Sequence, residues 1–284
     1  MTLTIGIIVV LVVIFSAFLK GWSGFGTNLI SIPILVLLNY EFKEAVIIVI
    51  TLNLFLNTAI LIENKKFNLR SLEHIKVLVI FGVIFNFVGI YFLKNFDPNI
   101  LKIITGSLIL LTAINKAISL KFKVVNKEKY YIPVGILSGI FNGIAGLGGL
   151  PVLLLLSNSD MKKDEFRTTL VSYFLVMNVM AIIGYVTHNL YTEVILINIG
   201  VILLFGLGAA MYGVYMSRRV SDSVFQRWFV FVMMFMGAGL TFNGLYEKTG
   251  TYIDMVLYIV VSLSVTLVIE GTLLLRTKLI KSSI

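Results

Sequence analysis

Two apolar runs of this chain are each broken by a glycine cluster, Gly24-Phe25-Gly26-Thr27-Asn28 in the first and Gly146-Leu147-Gly148-Gly149-Leu150-Pro151 in the second, 122 residues further on. Glycine lets the backbone leave the helical path because it adopts conformations that other residues avoid. Hydrocarbon cannot replace the hydrogen bonds freed at such a break, so a break at membrane depth must be buried in protein or border a watery cavity. Matching breaks in two halves of one chain point to a binding site near the bilayer midplane.

Composition places these breaks in a membrane. The 284 residues are 58% hydrophobic and 13% charged, with mean hydropathy +1.01, which excludes an ordinary soluble domain. Runs long enough for a ~30 Å hydrocarbon core lie at residues 45–62, 77–93, 103–120, 170–186, 194–216, 228–245 and 252–275. All read as helices. The run at 3–19 has neither a basic leader nor a small-residue cleavage site, so it reads as mature protein rather than a signal peptide. With no cysteine in the chain, disulfides, thiolate metal sites and cysteine nucleophiles drop out.

Four apolar stretches are too short to cross comfortably: 3–19, 29–38, 132–140 and 150–156. They fall in two pairs, each flanking a glycine cluster, and each pair reads as a re-entrant hairpin of half-helices. Three full spans follow each hairpin. The phrase Phe81-Gly82 with Gly89-x-Tyr91 recurs 124 residues later as Phe205-Gly206 with Gly213-x-Tyr215, while Ala17 and Gly21 match Gly139 and Gly143. The expected organisation is a duplication: residues 1–122, then 123–247, then an unpaired C-terminal span in 248–284. The fold class is all-α and polytopic, with about seven full spans and four half-helices.

An odd number of crossings per repeat turns the second repeat upside down. The formal charge of +9 follows this plan rather than marking a nucleic-acid surface. With the N-terminus outside and the C-terminus cytoplasmic, eighteen of the 23 Lys and Arg fall in inner loops, against Lys43, Lys94, Lys102 and Lys248 outside. Positive charge prefers the inside.

A helix that begins inside the membrane presents unpaired N–H groups and the positive end of its dipole, which together attract an anion. Two helices would begin near Gly26 and Gly148, converging from opposite sides because the repeats are inverted. Gly24, Gly26, Gly146, Gly148 and Gly149 shape this expected site, and Lys20, Ser23, Thr27, Asn28 and Asn142 are its candidate contacts. Each has a plainer reading: Lys20 as a cytoplasmic-loop or snorkelling lysine, Ser23 and Thr27 as backbone caps, Asn142 as an interhelical bond. Asn53 and Asn57 share one helix face, and Ser172, Tyr173 and Asn178 occupy the comparable helix of the second half. These are candidates for lining the cavity or for gluing helices.

Gly135, Gly139 and Gly143 make a small-residue ladder for close packing. Glu270 sits near a span end and His188 on an outer turn. The expectation is no metal, no cofactor and no enzymatic activity, since neither metal-ligand spacing nor a nucleophile constellation occurs. Deep spans almost lacking Asp, Glu and His argue against a proton relay, and an anion leaving an inside-negative cell needs none.

The paired breaks, each followed by a proline (Gly24-x-Gly26 with Pro33; Gly146-x-Gly148-Gly149 with Pro151), and the twin Phe-Gly-x6-Gly-x-Tyr phrases resemble the sulfite exporter TauE/SafE family, also called the toluene sulfonate uptake permease group. The likeness covers about residues 5–246. It implies export of small sulfur-containing anions such as sulfite, sulfonates or sulfoacetate across the bacterial inner membrane. Thr27 and Asn28 stand where that family commonly continues with glycine. The partners implied are a small anionic substrate and the lipid bilayer, with no nucleic acid; an oligomer is compatible with the sequence. An anion channel is the nearest rival, and a membrane enzyme or signalling scaffold is the rival from another class.

Overall fold

The computed structural model describes residues 3–63, 69–118, 127–156, 161, 163–217 and 222–249. Among the described residues the chain forms ten α-helices and no strand. They are α1 (Leu3–Ser23), α2 (Thr27–Leu37), α3 (Phe42–Glu63), α4 (Lys76–Asn95), α5 (Pro98–Ile118), α6 (Tyr131–Ala145), α7 (Gly149–Leu156), α8 (Lys163–Thr187), α9 (Glu193–Ser217) and α10 (Asp222–Thr249), with short 3-10 turns at Leu69–Ile75 and Lys127–Tyr130. Seven of the described helices, α1, α3, α4, α5, α8, α9 and α10, are long and apolar enough to cross a bilayer. The protein is an all-α, multi-pass membrane protein. Large apolar side chains point outward along these helices, with Leu204 76%, Ile62 65% and Leu111 63% exposed, as a lipid-facing surface requires.

One boundary differs from the sequence-based expectation. The first hydropathy run ends at Lys20, yet α1 continues through Lys20 to Ser23 and has 21 residues. That is ~31 Å at 1.5 Å per residue, enough to span. Lysine is a good helix former, so its charge ends the apolar run without ending the helix. The span expected at 252–275, with Glu270, lies outside the described residues.

Contacts divide the chain into two compact units, and each draws on both sequence halves. Of the described residues, one holds those up to 98 and those from 127 to 217, and the other holds 99–118 and 222–249. In the first, α1 packs along α9 and α4 packs along α6, with α3 against α2, α8 and α9. Glycine allows both close pairs. A Cβ on Gly213 would overlap the backbone of Phe18 and Trp22 in α1, and one on Gly89 would overlap that of Ile140 and Gly143 in α6. Gly21 likewise meets Ala210, and Gly143 meets Asn86 and Ile90. The α1–α9 contact thus repeats in the α6–α4 contact at the offsets seen in sequence.

One end of this unit gathers the segments expected outside. Lys43 Nζ donates to Lys94 O at 2.8 Å, Tyr40 OH to Asn198 Oδ1 at 3.2 Å, and the Thr51 and Tyr191 hydroxyls lie 2.7 Å apart.

The second unit is the α5–α10 pair. Gly106 and Gly237 face one another closely, and a Cβ on Gly106 would overlap the Thr241 hydroxyl. Lys102, 5% exposed, reaches Glu247 Oε2 at 2.6 Å.

Candidate functional site

Both breaks are left-handed turns that only glycine makes without strain. At the first, Gly24 has φ 85° and Gly26 has φ 111°. The Gly24 N–H closes α1 on Lys20 O at 2.7 Å, and the Ser23 hydroxyl bonds Leu19 O at 2.8 Å or Phe25 O at 2.7 Å. No side chain caps the start of α2. At the second, Gly146 has φ 64°; its N–H meets Asn142 O at 2.7 Å and that of Leu147 meets Phe141 O at 3.1 Å. The first of these is the single bond by which a left-handed residue finishes a helix.

The two breaks touch. Asn28, on the first turn of α2, donates from Nδ2 to Gly146 O at 2.6 Å and accepts at Oδ1 from Asn53 Nδ2. A chain of amides therefore runs from α3 through one elbow to the other. Replacing Asn28 with Ala strands the Gly146 carbonyl and the Asn53 amide, and the expected cost is about 2 kcal/mol of stability. Thermal unfolding in detergent measures it.

Beside this bridge lies a cavity of about 40 Å³ open to the centre of a water molecule. One water needs about 10–15 Å³ by that measure, so the space takes a solute of a few heavy atoms. Lys20, Gly26, Thr27, Asn28, Asn53, Gly146, Gly149 and Asn178 line it. Lys20 is 4% exposed, and its ammonium lies 5.7 Å from the centre of the Phe174 ring, in range of a cation–π attraction. Gly149 makes room for that ring, since a Cβ there would overlap it. Thr27 Oγ1 and Asn53 Oδ1 are buried with no hydrogen-bond partner among the described residues. The first turns of α2 and α7 border the space, and among the described residues no Asp or Glu does.

The other candidates stand behind this lining. Ser23 is spent on local carbonyls, and Gly24 forms the turn. Asn142, which matches Lys20 in the second half, donates instead to Asn86 Oδ1 at 3.0 Å. Its amide is held between α6 and α4. Gly148 presents its carbonyl to the Ser138 hydroxyl, which also bonds Tyr173 OH. Asn57 and Ser172 are buried away from the cavity wall. Sequence reasoning missed the apolar half of the lining: Phe25, Leu29, Leu147, Leu150, Leu153 and Phe174. Pocket leucines look like lipid-facing ones in so apolar a chain.

Fold and site together define a polytopic helical membrane protein with a small cavity between two broken hairpins, lined partly by polar and partly by apolar side chains. The family model of the sulfite exporter TauE/SafE matches residues 9–240, and the chain belongs to that family of transporters. Comparison with curated proteins and with solved structures gave no match.

Proposed function

We propose that this protein carries a small sulfur-containing oxyanion, sulfite or a sulfonate such as sulfoacetate, out across the bacterial inner membrane by alternating access. The observation that carries the reading is the meeting of two helix starts and one buried lysine at a single acid-free cavity. Unpaired N–H groups and an ammonium favour an anion there. The orphaned Thr27 hydroxyl is a further donor for its oxygens.

The repeated α1–α9 and α4–α6 contacts support an inverted duplication of residues 1–122 in 123–247, which suits a site that opens in turn to either side. The basic-residue bias supports an outside N-terminus and a cytoplasmic C-terminus. Outward movement is then favoured by ~2.3 kcal/mol per charge per 100 mV, so the membrane potential suffices as the driving force.

Proteoliposomes loaded with sulfite test this. Efflux should rise with an imposed inside-negative potential, saturate with concentration and be stimulated by sulfite on the opposite side. Unitary currents without counterflow would make the protein a channel, and absence of flux for sulfite, thiosulfate and sulfonates alike would defeat the reading.

A further inference from the structure

Asn57 lies one helical turn beyond Asn53 on the same face of α3, is wholly buried, and has no partner for either amide atom among the described residues. Helix-joining amides are recognised by their bonds, as Asn142 is by Asn86. Asn57 makes none. On α8 the Ser172 hydroxyl is likewise wholly buried and unpartnered among the described residues.

Helix register brings these two groups to one level. Asn53 and Asn178 both line the cavity, while Ile60 and Leu61 of α3 cluster with Val171 and Leu175 of α8. Moving up the numbers on α3 therefore means moving down them on α8, so the helices run antiparallel. Asn57, between Asn53 and Ile60, falls at the stretch of α8 between Asn178 and Val171. Ser172 flanks the face that α8 turns to α3 there.

Buried polar atoms without partners are costly and rarely retained without use. We infer that Asn57 and Ser172 form a second station for the same small oxyanion, a neutral hydrogen-bonding step on the α3–α8 seam between the cavity and the Glu63 end of α3. The Asn57 amide N–H and the Ser172 O–H donate to the anion. Neither carries charge, so the station holds the anion more weakly than the Lys20 cavity and releases it, as passage requires. This inference rests on the cavity being the transport site.

Asn57→Leu is the test, with sulfite as the probe and three readouts. Flux into proteoliposomes should fall about tenfold or more. Sulfite affinity in detergent should stay within about twofold of wild type. The unfolding temperature should hold or rise, because an apolar side chain removes the unpaired amide. Asn57→Ser, which keeps a donor, should recover most of the flux, and Ser172→Ala should lose about threefold.

Unchanged flux in Asn57→Leu overturns the station. So does joint loss of flux, affinity and thermal stability, which would make Asn57 a structural amide. A wild-type protein that neither binds nor moves sulfite is a separate result, visible before any substitution, and it removes the cavity reading along with the station.

Discussion

Lys20→Met should weaken sulfite binding about 100-fold while the protein stays folded. The ammonium is 4% exposed and among the described residues has no acidic neighbour in the lining, so it carries a burial cost that the proposed anion would offset. Methionine keeps an unbranched apolar stem while removing the charge. Thermal stability without ligand should therefore hold or rise. Titration calorimetry with sulfite reads the affinity, and an undiminished value would remove Lys20 from the site.

Gly146→Val should reduce transport more than about 100-fold. Two costs combine at this position. The φ of 64° is an outlier for a β-branched residue, and the space a Cβ would need is filled by the Asn28 amide and by Ile50 Cγ1 at 2.9 Å. The elbow must move or the bridge must break, and either displaces the start of α7. Membrane insertion follows hydropathy and should be unaffected. Gly208→Val is the control: nothing lies within 4 Å of a Cβ there, so its flux should stay within about twofold of wild type. Equal fluxes in the two variants would show that the second elbow does not form the site.

Sequence alone located the elbows because glycine is the residue a left-handed turn selects, and Gly24, Gly26 and Gly146 all adopt positive φ. It located the candidate lysine because a charge inside an apolar run is conspicuous. It misjudged the length of α1 for the same reason, since hydropathy registers the charge of Lys20 and not the helix that continues beneath it. Asn28 was legible as a polar residue near a break, but its bond to Gly146 O joins positions 118 residues apart, and local pattern carries no such information. Asn86, which holds Asn142, is one amide in an apolar helix and gave no signal of its own. The aliphatic and aromatic side of the cavity was illegible because lining a cavity and facing lipid select the same residues.

An experimental structure with selenite, the heavier analogue of sulfite, is the most direct test, and the chain has no cysteine for selenite to oxidise. Anomalous scattering should place selenium in the cavity, with its oxygens about 3 Å from Lys20 Nζ, from a first-turn N–H of α2 and from the Gly149 N–H of α7. Selenium bound elsewhere, with this cavity empty at saturating selenite, would contradict the convergence of both helix starts on one anion.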